Sequence, residues 1–434
     1  MDLMTKPVDS LSGIVTLPAS KSYSIRAFLI AACGGRSRIK GPSDCDDARV
    51  AINAARKLGA RISAPIKDVW AVRAADRPVH PRQINVKESG TVLRFLLPLL
   101  ALNDRPCLVS GSGTLRGRPN RHLTEVLRRQ GVRIKGTGKH ESIPIRLSGG
   151  CLRAGKISIR GDLSSQFISA LLIACPQLNE KTTVVVHGRQ MVSSDYILMT
   201  RQVLERSGIR LFCKNQRTFL IPGGQQFKGL GYFAVPSDYG LAAFLLAAGA
   251  LTHSRILLRG EFQDDLVQAD GRILDFLRVM GVQVKKTRTS LKIQGPFRMQ
   301  GKTFSLKDCP DLVPIMAVLA LFARGVTRLK HIRHARVKES NRISDLRREL
   351  LKLGVRVQEK ENELIIHPLR QDASLSQRQP FMLDSYHDHR LAMAWSVLGL
   401  KYPCRVKNIE CVSKSYPGFV VDLKSLGARV ARGQ

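Results

Sequence analysis

The sequence has 434 residues, of which 44% are hydrophobic, and its 70 basic against 34 acidic residues give a net charge of +36. This length exceeds one ordinary core and predicts two domains of about 200 residues each. So positive a surface attracts polyanions, but the basic residues are spread along the whole chain and only 6% of residues are aromatic. We therefore expect a solvated basic surface that also favours small anionic substrates, and we do not expect a nucleic-acid partner.

The chain lacks the usual signs of a membrane or secreted protein. The apolar run from Leu312 to Ala323 has 12 residues, fewer than the roughly 20 needed to span a bilayer. The N-terminus resembles neither a signal peptide nor a transit peptide, and nine cysteines without a CxxC pair argue against disulfides or a zinc ribbon. His387, Asp388 and His389 are consecutive, so they do not converge easily on one ion. We expect a cytoplasmic protein without a bound metal.

An amphipathic helix, a glycine and a short alternating strand recur six times along the chain. Glycine just past a helix end tolerates the left-handed conformation that closes the helix, and the alternation after it suits a strand with one exposed face. Six copies of one unit, spaced by 72 to 77 residues, therefore account for the chain. They are RKLGARI at Gly59, RRQGVRI at Gly131, ERSGIRL at Gly208, RVMGVQV at Gly281, LKLGVRV at Gly354 and KSLGARV at Gly427.

Each repeat also contains a second helix that is apolar on nearly every face, which predicts a buried helix. Serine or aspartate at its start is expected to cap it, and proline to occupy its first turn. Six such helices in two domains indicate three repeats per domain, with the apolar helices inside and the amphipathic helices and strands outside. The buried helices begin at Ser20, Ser89, Ser164, Ser237, Pro310 and Asp388.

Charged and amide side chains accompany the starts of these buried helices. If the repeats share one orientation, three helix N-termini lie together at one end of each domain, where unpaired N–H groups and helix dipoles favour anions. Ordinary capping would explain a single polar start, whereas a repeated set indicates an anion-binding site. The set is Lys21, Arg26, Arg94, Gln166, Asp311 and Arg390.

The segment from Arg336 to Arg342 and the residue Asp311 supply candidate groups for chemistry. Lys338 and Arg342 are four residues apart, on one face of a helix, with Glu339 beside Lys338. The alternative interpretation of the segment from Arg336 to Arg342 is a solvated helix start, and that of Asp311 is a simple helix cap. Carboxylates among cations have readily shifted pKa values, so Asp311 and Glu339 are candidates for proton transfer.

At these residues the chain resembles a known family, the 5-enolpyruvylshikimate-3-phosphate synthases. The resemblance runs from about Leu11 to Gly427 and rests on the motifs PASKSYSIRA, ESGTVLRF, LRGRP, GDLSSQF, VSSDY, PDLVP, RVKESNR, DHRLAM and SKSYP, in this order. It implies an α/β fold, a two-domain inside-out α/β barrel of six βαβαββ repeats with buried helices and outer sheets. One domain would be discontinuous, residues 1–20 plus 236–434, and residues 21–235 would be inserted into it. The active site would lie in the cleft between them.

The resemblance also implies a reaction. Members of the family transfer the enolpyruvyl group of phosphoenolpyruvate to the 5-hydroxyl of shikimate 3-phosphate and release phosphate, in the shikimate pathway of aromatic biosynthesis. The transfer is addition followed by elimination through a tetrahedral ketal phosphate. Asp311 would hold or deprotonate the hydroxyl, while Glu339 and Lys21 would exchange protons with the carbon and the leaving phosphate. The resemblance implies a monomer that needs neither cofactor nor metal.

The remaining roles implied by the resemblance concern the two substrates. Arginine forks suit carboxylates and phosphates, and lysine supplies a mobile point charge. The residues expected around shikimate 3-phosphate are Lys21, Ser22, Arg26, Ser164, Ser165, Gln166, Ser193, Tyr196, Asp311, His334 and Lys338. The residues expected around phosphoenolpyruvate are Lys21, Gly90, Arg94, Arg118, Gln166, Arg342, Arg390 and Lys414.

Four residues depart from the usual pattern of the family. Glu88 and His334 stand where asparagine is frequent, Ala19 where glycine is common and Phe95 where proline often follows the arginine. A glutamate near an anion site is electrostatically unfavourable unless it pairs with Arg94 or a lysine.

Three other functions fit parts of the sequence. A UDP-N-acetylglucosamine enolpyruvyl transferase usually has a cysteine in the loop before its Arg-Pro, and the segment from Gly111 to Arg118 contains none. An RNA 3′-phosphate cyclase shares related repeats but has no use for the RVKESNR and SSQF motifs. A non-catalytic nucleic-acid binder would fit the charge, would lose affinity steeply with salt and would tolerate substitution of Asp311 or Glu339.

Overall fold

Twelve α-helices and short strands make up the part of the chain that the computed structural model describes, residues 1–66, 68–77, 79–369 and 379–433. The chain divides into two compact units. Met1–Pro18 together with Pro236–Gln434 forms the discontinuous unit, and Ala19–Val235 forms the inserted unit.

The bounds of the elements are as follows. The helices are α1 (Lys21–Ala31), α2 (Asp46–Lys57), α3 (Gly90–Leu100), α4 (Arg121–Arg129), α5 (Ser165–Ala174), α6 (Ser194–Arg206), α7 (Tyr239–Leu251), α8 (Arg272–Val279), α9 (Val313–Leu321), α10 (Arg342–Lys352), α11 (His389–Leu398) and α12 (Phe419–Ser425). The strands are β1 (Asp2–Lys6), β2 (Ser10–Thr16), β3 (Arg36–Lys40), β4 (Arg61–Ile66), β5 (Val69–Arg73), β6 (Gln83–Asn85), β7 (Cys107–Ser110), β8 (Arg133–Thr137), β9 (Ser142–Gly149), β10 (Gly155–Arg160), β11 (Thr182–His187), β12 (Phe212–Lys214), β13 (Thr218–Ile221), β14 (Gly231–Ala234), β15 (His253–Arg259), β16 (Val284–Lys286), β17 (Ser290–Ile293), β18 (Thr303–Ser305), β19 (Thr327–Lys330), β20 (Val357–Lys360), β21 (Glu363–Ile366), β22 (Phe381–Asp384), β23 (Cys404–Lys407) and β24 (Arg429–Gly433).

The strands of the described residues form four-stranded sheets that share one pattern. In the sheet β6–β7–β9–β8, the parallel strands β6 and β7 are joined through α3, and β8 and β9 form an antiparallel hairpin after α4. A helix of about ten residues is long enough to join two parallel neighbours. The same order recurs in β10–β11–β13–β12, β14–β3–β5–β4, β2–β15–β17–β16, β18–β19–β21–β20 and β22–β23–β1–β24.

Three strands come from outside the stretch of chain that forms the rest of their sheet. Strand β14 pairs in parallel with β3, which completes the first sheet of the inserted unit. Strand β2 pairs in parallel with β15, and β1 inserts between β23 and β24 with both pairings antiparallel. The N-terminal residues therefore belong to the same unit as the C-terminal half of the chain.

The apolar helices are buried on nearly every face, as their composition predicts. Every residue of α7 and every residue of α9 is buried, and α1, α3, α5 and α11 are buried along almost their whole length. The helices α2, α4, α8 and α10 bury one side only. Within the described residues, no helix is both long enough and apolar enough to cross a membrane.

The repeat glycines stand where the sequence places them, just beyond the amphipathic helices. Gly59, Gly131, Gly208, Gly281, Gly354 and Gly427 have φ angles of 99°, 95°, 83°, 94°, 74° and 103°. Residues with a Cβ atom avoid this left-handed region. The prediction that glycine closes each amphipathic helix is therefore confirmed.

Two of the predicted helix caps are confirmed. The Ser164 hydroxyl accepts from the backbone N–H of Gln166 at 3.3 Å. The Asp388 carboxylate accepts from the N–H of Arg390 at 2.8 Å.

Ser20 and Ser89 occupy the predicted cap positions before α1 and α3, but their side chains make no capping bond. The predicted cap at Ser237 is wrong. Ser237 lies one residue before the true cap, because Asp238 accepts from the N–H of Leu241 at 3.1 Å. A carboxylate can reach that N–H, whereas the Ser237 hydroxyl accepts from the N–H of Glu261 at 3.0 Å and joins the start of α7 to the loop that follows β15.

We predict that Gly354→Ala destabilises the discontinuous unit through backbone conformation alone. A Cβ at Gly354 would meet no atom within 4 Å, and φ is 74°. The left-handed conformation costs a residue with a Cβ about 1 kcal/mol, so the free energy of unfolding should fall by about that amount in urea titrations. Gly271→Ala is the matched control, because Gly271 has a helical φ of −59° and an added Cβ would make only ordinary van der Waals contact with the Tyr239 ring, at 3.7 Å or more. Equal effects of the two substitutions would contradict the conformational explanation.

Candidate active site

Arg342, the first residue of α10, joins three carboxylates in the discontinuous unit. Its side chain is fully buried, and its Nη1, Nη2 and Nε atoms donate to Asp311 at 2.7 Å, Glu339 at 2.9 Å and Asp388 at 2.7 Å. Burial lowers the pKa of Arg342, but the three carboxylates outweigh burial and raise it well above its ordinary value. A planar fork of five N–H donors suits such a triple contact, and a lysine does not.

Asp311 lies in the 3-10 turn Pro310–Leu312 that leads into α9, and three cations surround it. Besides Arg342, the Lys338 Nζ atom lies 3.4 Å from Oδ1 and the Arg390 Nη2 atom lies 3.3 Å from Oδ2. Burial raises the pKa of Asp311, but Lys338, Arg342 and Arg390 together hold it well below the usual range. Asp311 is therefore an ionised carboxylate whose two oxygens face cations.

Arg390, in the first turn of α11, connects the starts of the three buried helices of this unit. Its Nη1 atom donates to the Gly240 carbonyl at the start of α7 at 2.7 Å, and its Nη2 atom donates to Asp311 before α9. Asp388, the cap of α11, bonds Arg342. Within the discontinuous unit, the prediction that three polar helix starts lie together is confirmed, and helix N-termini favour anions.

Two further titratable groups border this cluster. Asp270 lies 3.7 Å from the Arg390 guanidinium, and burial raises its pKa to about 7 although Arg390 opposes this. Burial, together with the charge of Lys338, lowers the pKa of His334 to about 3. The His334 Nε2 atom has no hydrogen-bond partner among the residues that the structure describes. His334 is therefore a neutral polar group.

Lys414 is held by a strained turn that precedes α11. Its Nζ atom donates to the His387 carbonyl at 2.9 Å. Tyr386 and His387 have φ angles of 51° and 56°, a region that is costly for residues with a side chain. The Tyr386 hydroxyl donates to the buried Glu349 at 2.7 Å, which anchors the turn to α10.

In the inserted unit, Gln166 joins the start of α5 to α3. Its side-chain oxygen accepts from Arg94 Nη1, and its amide nitrogen donates to the Thr91 hydroxyl at 2.9 Å. The Arg94 Nε and Nη2 atoms donate to the Asn120 side chain and the Pro119 carbonyl, both at 3.3 Å. Arg94 is buried, and this network fixes the orientation of its guanidinium group.

Arg26, on α1, is also buried, and it positions Ser22 and Tyr196, two of the residues predicted to bind substrate. Its Nε atom donates to the Thr200 hydroxyl at 2.8 Å, and Nη1 and Nη2 donate to the carbonyls of Ser22 at 2.9 Å and Tyr196 at 3.0 Å. Its guanidinium lies 5.3 Å from the centre of the Phe95 ring. Burial lowers the pKa of Arg26 to about 10. Phe95, which departs from the usual family pattern, therefore supplies an aromatic face for Arg26.

The other predicted residues of this unit lie at helix starts. The Lys21 Nζ atom lies 3.2 Å from the Asp47 carboxylate, and both side chains are 13% exposed. Ser164 caps α5, and Ser165 is its first residue. Ser193, with a left-handed φ of 56°, immediately precedes α6, which carries Tyr196.

Glu88 supports the loop that carries Arg118. Its carboxylate accepts from both the backbone N–H and the hydroxyl of Thr114, each at 3.0 Å, which anchors the 3-10 turn Gly113–Gly117. The Arg118 guanidinium lies against Gly90, where a Cβ would approach Nη1 to 2.7 Å. The departure at Glu88 therefore has a structural explanation, since it accepts hydrogen bonds from the turn before Arg118.

Sequence reasoning missed several partners of these side chains. Asp388 was expected only as a helix cap, yet it also holds Arg342. Asp47, Asn120 and Thr200, which contact Lys21, Arg94 and Arg26, carried no signal in the sequence because they come from the amphipathic helices or the loops before them. The described residues contain no group of three His, Cys, Asp or Glu side chains that could hold a metal ion.

Solved structures share this arrangement of small sheets and helices. The chain superposes with a TM-score of 0.78 on the EPSP synthase of Acinetobacter baumannii, at 23% sequence identity and covering 99% of this chain and 100% of that one. The enolpyruvyl transferase NikO of Streptomyces tendae gives a TM-score of 0.75 at 20% identity, covering 99% and 98% of the two chains. The mixed α/β fold is thus that of the EPSP synthase structures.

Sequence comparison assigns the family. The model of the family "EPSP synthase (3-phosphoshikimate 1-carboxyvinyltransferase)" matches residues 5–423. The 3-phosphoshikimate 1-carboxyvinyltransferases of Methanocaldococcus jannaschii and Methanothermobacter thermautotrophicus are 34% and 35% identical to this chain, each over 99% of both sequences. The chain belongs to the EPSP synthase family, which confirms the resemblance seen in its motifs.

We predict that Asp270 makes the stability of the protein depend on pH. The folded protein keeps a proton on Asp270 up to about pH 7, whereas an unfolded aspartate loses it near pH 4. Since the folded state binds the extra proton, the free energy of unfolding of the unmodified protein should fall, relative to Asp270→Asn, as the pH rises from 4 to 7. Urea titrations at several pH values measure this difference.

Asp264→Asn is the control for the prediction on Asp270. Lys286 holds the pKa of Asp264 below its usual value, so Asp264 is ionised in both folded and unfolded protein above about pH 5, and the difference between this variant and the unmodified protein should stay constant between pH 5 and pH 8. Parallel pH profiles for the two variants would contradict the prediction.

Proposed function

We propose that the protein transfers the enolpyruvyl group of phosphoenolpyruvate to the 5-hydroxyl of shikimate 3-phosphate, in the shikimate pathway, and releases phosphate. The observation that carries the proposal is the cluster of Asp311, Glu339 and Arg342 in a chain that matches the family from residue 5 to 423. Two anionic substrates require cations to bring them together, and carboxylates to hold or move protons.

We also propose the finer architecture that the resemblance implies. Each unit would be an inside-out α/β barrel, and both units would contribute to one active site. The complete burial of α7 and α9 and the repeated sheet order support the proposed barrels. The cytoplasmic location and the monomeric state stay predictions.

Shikimate 3-phosphate would be held mainly by the inserted unit. Arg26 is buried and bonded to the Ser22 and Tyr196 carbonyls, so it would act chiefly by orienting those two residues. The hydroxyls at the starts of α5 and α6 would bind the phosphate, because helix starts offer N–H groups as well. The residues proposed for this substrate are Lys21, Ser22, Arg26, Ser164, Ser165, Gln166, Ser193, Tyr196, Asp311, His334 and Lys338.

Phosphoenolpyruvate would be bound by cations of both units. Arg94 and Arg390 lie at the starts of buried helices, and their guanidinium groups are fixed by neighbours before any ligand arrives. Fixed donors need no reorganisation when charge develops during the reaction. The residues proposed for this substrate are Lys21, Gly90, Arg94, Arg118, Gln166, Arg342, Arg390 and Lys414.

The proposed reaction has two steps. In the first, the 5-hydroxyl oxygen bonds to the central carbon of phosphoenolpyruvate and loses its proton, while the methylene carbon takes up a proton. In the second, the methyl carbon of the ketal returns a proton, and the bond to the phosphate oxygen breaks. Glu339, bonded to Arg342, and Lys21, beside Asp47, are the groups proposed to exchange these protons.

Asp311 is better suited to hold the hydroxyl than to remove its proton. The three cations around it keep its pKa well below the usual range, and a carboxylate of such low pKa is a weak base. An ionised oxygen still accepts a strong hydrogen bond from a hydroxyl. We therefore propose that Asp311 orients the attacking oxygen.

The proposed activity is tested by measuring phosphate release from phosphoenolpyruvate by the unmodified protein. Release should require shikimate 3-phosphate and should not occur with UDP-N-acetylglucosamine as acceptor, since the segment from Gly111 to Arg118 lacks the cysteine usual in that sister family. Release with UDP-N-acetylglucosamine alone, or with neither acceptor, would overturn the proposal.

We predict that Glu339→Gln lowers kcat for phosphate release by more than about 100-fold, because a proton-transfer group contributes about 10² to 10⁴ in rate. Glu359→Gln is the matched control, since Glu359 is also paired with an arginine, Arg336, but belongs to no proposed substrate site. Circular dichroism should show that both variants fold. A Glu339→Gln enzyme with the kcat of the control would remove Glu339 from the mechanism.

We predict that Arg26→Lys raises KM for shikimate 3-phosphate about tenfold or more while KM for phosphoenolpyruvate changes little. A lysine cannot donate to Thr200, Ser22 and Tyr196 at once with the geometry of the guanidinium. Steady-state kinetics with each substrate varied in turn measures the two constants. Equal changes in the two KM values would show that Arg26 does not act specifically on the binding of shikimate 3-phosphate.

A further inference from the structure

The exposed face of the sheet β14–β3–β5–β4 carries a row of three arginines. The strand register places Arg36 opposite Arg73 and Arg73 opposite Arg61, on three neighbouring strands. All three side chains are exposed. None of them belongs to the groups proposed for the two substrates.

This row is electrostatically unfavourable in the protein by itself. Like charges directly opposite each other on neighbouring strands destabilise a sheet. Arg73 has only a loose pair with Asp76, at 3.9 Å and with Asp76 92% exposed. Among the residues that the structure describes, neither Arg36 nor Arg61 has a carboxylate within ion-pair distance. In the sheet β18–β19–β21–β20, by contrast, Arg328 pairs with Glu363 at 3.3 Å. An anionic ligand would offset the repulsion in the arginine row.

An aromatic side chain lies beside the arginine row. Tyr232 on the edge strand β14 pairs with Arg38 on β3, two residues from Arg36 along that strand. Its side chain is 58% exposed. Arginines and Tyr232 together line an open concavity of about 600 Å³, which also includes Ser63. We call this concavity the arginine groove, defined by Arg36, Arg38, Arg61, Arg73 and Tyr232.

We propose that the arginine groove binds single-stranded nucleic acid, with a base stacked on Tyr232 and successive phosphates along the arginine row. Adjacent strands are about 4.8 Å apart, so Arg36 and Arg61 are separated by about 10 Å, enough for two neighbouring phosphates. An aromatic platform beside a cationic track is the arrangement by which proteins bind single strands without sequence preference. The net charge of +36 adds long-range attraction for such a polymer.

This site was not expected from the sequence. The arginine groove is built from four separate segments of the chain, which carry Arg36 with Arg38, Arg61, Arg73 and Tyr232. In the sequence the basic residues therefore look evenly spread. The register of the sheet alone brings them onto one face. An acidic peptide would leave the exposed ring of Tyr232 without a partner of matching shape, which favours a nucleic acid.

The test measures the binding of a fluorescent 12-nucleotide oligouridylate to the full-length protein by anisotropy at several salt concentrations. A dissociation constant in the micromolar range is expected near physiological salt. Replacing Arg36, Arg61 and Arg73 together by serine should weaken binding at least tenfold. It should also reduce the slope of log K against log salt by about 1.4, at about 0.7 for each of the two lost phosphate contacts. Tyr232→Ala should weaken binding about fivefold or more without changing that slope.

The matched control replaces Lys156, Arg255 and Lys292 by serine. These three exposed cations lie on strands of other sheets, so the control loses the same charge away from the arginine groove. It should bind the oligonucleotide within about twofold of the unmodified protein. Thermal unfolding midpoints close to that of the unmodified protein show that both triple variants fold.

Three results would overturn the proposal. One is the absence of saturable binding by the unmodified protein. Another is an equal loss of affinity in the groove and control variants, which would show attraction by net charge alone. The third is binding to phosphatidylglycerol vesicles that depends on the arginine groove while oligonucleotide binding does not, which would assign the surface to a membrane. None of these measurements depends on the proposed enolpyruvyl transfer.

Discussion

The contact between one buried guanidinium and three carboxylates is the constraint on which the candidate site depends. Arg342 has no exposed side-chain surface, and Asp311, Glu339 and Asp388 all bond to it. Removing one member of a buried ionic network leaves an uncompensated charge, which is strongly destabilising. The carboxylates therefore fix Arg342, and Arg342 in turn fixes the two acidic groups proposed to act on the substrates. Asp388 links this network to the start of α11, and Arg390 links it to α7 and α9.

The repeat explains why such a network forms at all. Among the residues that the structure describes, similar sheets each accompany one buried helix, and in the discontinuous unit the polar starts of three such helices lie together, where N–H groups and dipoles favour anions. Arg94 and Arg26 in the inserted unit are fixed by amide, carbonyl and hydroxyl groups, whereas Arg342 in the discontinuous unit is fixed by three carboxylates. The acidic groups proposed for the chemistry therefore lie in the discontinuous unit, and Arg94 and Arg26 of the inserted unit have neutral hydrogen-bond partners.

Features of the fold that depend on local chemistry could be predicted from the sequence. Contacts between distant segments of the chain could not. The glycine after each amphipathic helix and the apolar helix in each repeat are local signals, and both predictions are confirmed. The cap at Ser237 was wrong because its neighbour Asp238 reaches the same helix start. The role of Glu88 could not be read from the chain, because its partner Thr114 is 26 residues away in a loop. Asp47, Thr200 and the arginine groove were missed because only the folded arrangement brings their members together.

The central claim, that the fork of Arg342 sets the acidic groups for enolpyruvyl transfer, is tested most directly by the phosphate-release activity of Arg342→Lys. A lysine keeps the charge but cannot bond three carboxylates in these directions, so we predict that kcat falls by more than about 100-fold in a folded protein. Arg348, on the same helix, is 60% exposed and pairs with Asp345 at 3.1 Å, and Arg348→Lys should retain normal activity. An Arg342→Lys enzyme as active as Arg348→Lys would contradict the account.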